Sequence, residues 1–148
     1  MYTKNELLDE LEEILEKNID AERGYTKAAD KAENPALKRY FENKSRERRE
    51  FNSDLKTQIK AAYSDFDEDG SFTGSIHRTW MDLKSIFSAN DDEAMLEESI
   101  RGDKAAVEEY DDVLEEESLP VGLRNLLLHQ RTKIKTDLER NKTLEDLQ

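Results

Sequence analysis

In four long stretches of this chain apolar residues recur at every third or fourth position, and in each stretch an acidic residue stands where an apolar one is due. The acids are Glu22, Glu47, Asp103 and Asp137. Such spacing is that of an amphipathic helix whose apolar stripe faces a core. A carboxylate on that stripe needs a counter-charge, a proton or a metal, because burial without a partner is costly. Any fold of this chain must bring these acids to something that neutralises them.

The ends of the helices are marked. Thr3 with Glu6 has the form of a capping box and opens a helix with the stripe Leu8, Leu11, Leu15, Asn18, Glu22, Tyr25 and Ala29. Asn34-Pro35 closes it and starts the second, with Asn as N-cap and Pro at the first helical position. The second helix carries Leu37, Tyr40, Phe41, Phe51, Leu55 and Ile59, with Glu47 one turn before Phe51. So short a connection predicts an antiparallel hairpin. After an acidic turn at Asp65 to Gly70, Ile76, Trp80, Leu83 and Phe87 predict a short helix packed across the bundle. Asn90 with Glu93 forms a second capping-box pattern, followed by Leu96, Ser99, Asp103, Ala106, Tyr110 and Val113. Ser118-Leu119-Pro120 breaks that helix. The last runs through Leu123, Leu127, Gln130, Ile134, Asp137, Asn141 and Leu144, with Leu138 competing with Asp137 for the inward position.

Composition agrees with an all-α protein. The 148 residues are 40% charged, with five Gly and two Pro, and suffice for one domain over residues 1–148. Helices are expected over about 3–32, 35–63, 91–117 and 120–146, with a crossover helix over about 75–88. The net charge of −13 argues against nucleic acid or an anionic membrane as partner. The basic run Lys44 to Arg49 is interrupted by Glu47 and reads as a solvated, salt-bridged helix face. Without cysteine there is no thiol chemistry, and no apolar run suits a signal peptide or a bilayer span, so a soluble cytoplasmic protein is expected.

Counting places the acids at one height. Glu22 lies twelve residues before Asn34 and Glu47 twelve after Pro35, each about 18 Å from the same connection at 1.5 Å per residue. If the segment after the second helix returns along the bundle, Asp103, twelve residues past Asp91, falls in the same layer. Asp103 is sixteen residues before Leu119 and Asp137 seventeen after Pro120, which brings that pair level as well.

Two helical hairpins joined by a long crossover, with an inward acid on each helix, resemble the ferritin-like superfamily. Within it the chain is similar to a bacterial family of small, largely uncharacterised ferritin-like four-helix bundles. The residues that carry this are His77-Arg78-Thr79-Trp80-Met81-Asp82-Leu83, Arg101-Gly102-Asp103 to Ala106 to Tyr110, and Glu22-Arg23-Gly24-Tyr25. The resemblance implies a di-iron pattern of one Glu on each of two helices and Glu-x-x-His on each of the others. Glu22, Glu47 and Asp103 match three of its acids, and Asp137 is the fourth. Glu50 and Arg140 stand where the histidines would be, which argues against efficient di-iron oxidase or ferroxidase activity. Two readings follow. Either Glu22, Glu47, Glu50, Asp103 and Asp137 loosely bind Fe, Mn or another divalent metal, or the acids pair with Arg48, Arg101 or Arg140 in a structural network of a non-catalytic, stress-related or scaffolding bundle.

Other features read as structural. His77 and His129 lack a second histidine nearby, and Tyr25 and Tyr110 read as core residues with satisfied hydroxyls. Asp65-x-Asp67-x-Asp69-Gly70 imitates half of an EF-hand loop, but its twelfth position is Ile76, so it reads as a solvated acidic turn. The charged outer faces leave a symmetric homodimer open, and no fifth-helix segment after Leu147 suggests a ferritin-type cage.

Overall fold

The computed structural model describes residues 4–66 and 91–147. Among them the chain is all-α: α1 (Lys4–Lys31), α2 (Pro35–Ala62), α3 (Asp92–Leu114), α4 (Val121–Arg140) and a 3₁₀ turn, Leu144–Leu147, with no strand. The expected crossover helix, its Trp80 and His77, the Thr3 cap and all but the start of the acidic loop lie outside the described residues. No described helix is long and apolar enough to cross a membrane.

Helix α2 starts as its sequence dictates. The Asn34 side chain accepts from the backbone N–H of Ala36 at 2.8 Å and of Leu37 at 3.2 Å, and Pro35 takes the position where a missing N–H does no harm. The Asp92 carboxylate binds the backbone N–H of Glu33 and Asn34 at 3.0 and 2.8 Å. The start of α3 is thereby held at the α1–α2 connection. Along α1 and α2, Ala29 meets Lys38, Thr26 meets Ser45 and Glu22 meets Arg49, so one number falls as the other rises.

The sequence reading misplaces three helix ends. The N-cap of α3 is Asp91, which accepts from Ala94 N–H at 3.2 Å, rather than Asn90. Helix α3 stops at Leu114 and not near residue 117, because Arg124 reaches over from α4 and donates to the freed carbonyls of Leu114 and Glu116. Helix α4 stops at Arg140 and not near 146. There Asn141 donates back to the Asp137 carbonyl, and the Asp146 carboxylate collects the N–H groups of Lys142 and Thr143 in place of a helical turn. The turn lets Leu144 and Leu147 fold onto the end of the bundle.

The core has two apolar parts. One gathers Leu7, Leu11, Leu15, Phe51, Leu55, Ile59, Val113, Leu123, Leu127 and Ile134, and the other Ala21, Ala28, Leu37, Phe41, Met95 and Leu96. Between these two sets lie the buried Asn18 of α1, Lys44 and Arg48 of α2, and Asp103 of α3. An apolar helix surface would have run unbroken. Asn34→Ala removes the α2 cap and is expected to lower stability by about 1 kcal/mol in urea unfolding, whereas Asn34→Asp keeps the acceptor and stays near wild type.

Candidate functional site

Asp103 is the centre of the polar layer and is only 2% exposed. Each carboxylate oxygen meets a buried cation from α2. Arg48 NH2 lies 2.6 Å from Oδ1, and Lys44 Nζ lies 2.8 Å from Oδ2. The Tyr25 hydroxyl of α1 donates to Oδ1 at 2.8 Å. From α4, Asp137 accepts from Lys44 at 2.9 Å, so one ammonium bridges carboxylates of two helices. All four helices meet here, and the four charges of Lys44, Arg48, Asp103 and Asp137 cancel.

Aromatic faces complete the enclosure. The Tyr25 ring has Lys44 Nζ 5.6 Å from its centroid and Arg48 Cζ at 5.7 Å, while Tyr40 lies 6.0 Å from Lys44 and Phe51 6.0 Å from Arg48. These are cation–π distances, so desolvated cations gain partners beyond the carboxylate. Arg48 Nε is buried without a hydrogen bond.

The electrostatics follow from competition between burial and pairing. Burial alone would raise the Asp103 pKa, but Lys44 and Arg48 outweigh it and hold the carboxyl below its usual range. Burial would likewise strip a proton from Lys44, yet Asp103 and Asp137 hold the ammonium above its usual range, and Asp103 does the same for Arg48. Burial, joined by Asp103, pushes Tyr25 well up; Tyr40 is pushed up to about 12, mainly by burial. Glu47 is also raised, by burial and then by Asp137 against the pull of Lys44.

The remaining candidates are placed differently. Glu47 sits 3.9 Å from Lys44 at the edge of the layer. Glu22 points into the outer α1/α2 groove, where Asn52 Nδ2 donates to Oε1 at 3.1 Å and Arg49 Nε to Oε2 at 3.3 Å. Glu50 is exposed. Among the described residues no three His, Cys, Asp or Glu side chains are grouped so as to hold a metal ion. Of the three arginines suggested as partners, only Arg48 enters the layer. Arg101 pairs with Glu98 one turn away on its own helix, and Arg140 is exposed, as is His129.

The sequence reading of Lys44 to Arg49 as a solvated face is corrected for Lys44 and Arg48, which are 3% and 1% exposed. Their positions were legible: Leu37, Phe41, Lys44, Arg48, Phe51 and Leu55 keep an unbroken three-and-four spacing. A neutral polar layer neighbours the charged one. Asn18 Nδ2 donates to the Tyr110 hydroxyl at 2.7 Å, Tyr110 donates to Gln130 Oε1 at 2.7 Å, and Gln130 Nε2 donates to the Phe51 carbonyl at 3.2 Å.

A family model described as "Domain of unknown function (DUF2383)" matches residues 6–116, most of the chain, and the chain belongs to that family. Tyr25, Lys44, Arg48 and Asp103 fall inside the matched residues; Gln130 and Asp137 lie beyond them. Among curated proteins no match is found.

Asp103→Ala strands the buried Arg48 and leaves Lys44 with Asp137 alone, and is expected to cost about 3–5 kcal/mol. Replacing Lys44 and Arg48 by Met and Asp103 by Leu together should recover most of that loss in the same urea titration, because the desolvation penalty is removed with the charges. A separate signature lies at high pH. Tyr25, Tyr40 and Lys44 all keep their protons in the fold beyond the pH at which the unfolded chain releases them. Their stabilising effect is complete below about pH 10 and is lost as pH rises toward 12. Urea midpoints should therefore fall steeply above about pH 10, and less steeply in Tyr40→Phe.

Proposed function

We propose that this chain is a ferritin-like four-helix bundle, two antiparallel hairpins joined by a crossover, that works as a non-catalytic stress-related or scaffolding protein of the bacterial cytoplasm. Its inward acids serve a structural salt-bridge network. One observation carries the reading: the Lys44 ammonium sits between Asp103 and Asp137, with Arg48 on the other oxygen of Asp103. The reading is supported by Asp92, which holds the start of α3 beside the α1–α2 connection.

The donor set argues against a metal in this layer. A divalent ion on Asp103 would displace Lys44 or Arg48 and leave a buried cation beside it, at a short distance and in a medium that screens poorly. Glu22 and Glu50 point elsewhere, and the matching positions for imidazole are Glu50 and Arg140. With the acids committed to cations, the layer fixes helix positions and offers no open coordination site.

Elemental analysis of the purified protein, with thermal melts in Fe²⁺, Mn²⁺, Zn²⁺ and Ca²⁺, separates the readings. We expect no stoichiometric metal and no rise in Tm. Bound metal together with a rise in Tm that Glu22→Ala abolishes would replace this reading with a loosely held divalent metal.

A further inference from the structure

The outer face of α4 is uncharged over most of its length, in a chain that is 40% charged. From Val121 to Thr132 its exposed positions are Val121, Gly122, Asn125, Leu128, His129 and Thr132, with no Asp, Glu, Lys or Arg among them. Val121, 74% exposed, and Leu128, 45% exposed, are the exposed large hydrophobic residues among the described residues. Two cations that could have covered this face are turned back onto their own chain. Arg124 donates to the carbonyls of Leu114 and Glu116, and Arg131 pairs with Asp111.

The stripe Val121, Asn125, Leu128, Thr132 and Lys135 follows the three-and-four spacing of one helix face. Charge returns only at its two ends, and with opposite sign. Glu115 and Glu117 lie exposed in the connection before α4, and Lys133 and Lys135 lie exposed beyond Thr132. Such a face is complementary to itself turned end for end. A two-fold axis crossing α4 between Arg124 and Asn125 lays Val121 on the partner's Leu128 and Leu128 on the partner's Val121. Asn125 then adjoins the axis, where an amide that both donates and accepts can satisfy its own copy. At 1.5 Å per residue, Lys133 and Lys135 lie roughly 13 and 16 Å from the axis, past the start of the partner's α4 at about 5 Å. They reach the connection that carries the partner's Glu115 and Glu117. A parallel pairing would set base on base and acid on acid, so the end-for-end arrangement is the one the charges allow.

We propose that the α4 face of Val121, Asn125, Leu128 and Lys135 docks a second copy of this chain in an antiparallel, two-fold dimer. Helix α4 suits this role in a chain of net charge −13 because it carries five bases against two acids, which lessens the repulsion between copies where they meet. One helix from each copy makes a small interface, so the dimer is reversible and depends on concentration. The face is separate from the Asp103 layer, and its failure would leave the structural reading of that layer untouched.

Sedimentation equilibrium of the full chain over a range of concentrations tests this, and should show monomer passing to dimer with no larger species. Leu128→Asp puts a carboxylate on an already exposed position and should weaken dimerisation by about tenfold or more at unchanged Tm. Lys135→Glu should weaken it too, and adding Glu117→Lys to the same chain should restore it. The chain has no cysteine, so Asn125→Cys should cross-link to covalent dimers under mild oxidation, whereas Lys27→Cys on α1 should not. The inference fails if the chain stays monomeric up to about 1 mM, or if Leu128→Asp leaves the dimer intact. It fails equally if Leu128→Asp lowers the Tm of a protein that is monomeric throughout, since the stripe would then be covered by its own chain.

Discussion

The Asp103 carboxylate, held on one oxygen by Arg48 and on the other by Lys44, is the constraint around which the bundle is arranged. Three buried charges at the meeting point of four helices are tolerable only while they remain together. Separating α2 from α3 by an ångström or two would leave desolvated charges unpaired, a penalty of several kcal/mol. Apolar side chains at the same positions would hold the bundle at least as well, so the ion pairs are weak evidence for extra stability. What they supply is register. Sliding α2 by one turn would carry Lys44 away from Asp103 and toward the apolar side chains of other helices, Ala28, Met95 and Leu96, so a wrong packing is penalised by a buried charge without its partner.

The neutral layer of Asn18, Tyr110 and Gln130 does comparable work by geometry. Each of its hydrogen bonds joins different helices, and the chain ends on the Phe51 carbonyl, whose second lone pair is available even inside a helix. The two layers differ in what holds them. The charged one resists separation through long-range attraction, and the neutral one through short, directional bonds that tolerate little rotation. Tyr25 and Tyr110, on α1 and α3, tie the hydroxyls of ring residues into both, so the same aromatic packing that fills the core also closes the polar networks.

Much of the helical plan was legible because its signals are local. Asn34-Pro35 caps α2 as the residues require, and the stripes of α3 and α4 follow Leu96, Ser99, Asp103, Tyr110 and Leu123, Leu127, Gln130, Ile134. What misled was the treatment of charge as a sign of exposure. Lys44 and Arg48 occupy the apolar spacing of α2 as faithfully as Phe41 and Phe51 do, and a stripe that already asked for a counter-charge to Asp103 should have accepted them. Glu22 misled in the other direction: it shares a stripe with Tyr25, but Ala21 takes the central position and leaves Glu22 on the flank, facing Arg49 and Asn52. The early ends of α3 and α4 depend on Arg124 and Asp146 reaching across turns, contacts between residues that no helical period relates.

A net charge of −13 describes the chain poorly once the helices are separated. Helix α1 carries nine acids against five bases and α3 nine against two, whereas α2 has eight bases against four acids and α4 five against two. The most extensive contacts join α1 to α2 and α3 to α4, each pairing an acidic helix with a basic one. Where two acidic helices approach, Lys17 of α1 is held between Glu13 and Glu109, and Glu10 nearby is raised by burial and by its acidic neighbours. Self-repulsion is thus offset pair by pair, and the fields that ligands meet are set by individual seams. The total charge disfavours a long polyanion lying over the whole surface. It does not by itself keep two copies apart at α4, because at physiological salt the acids more than about 8 Å away are largely screened.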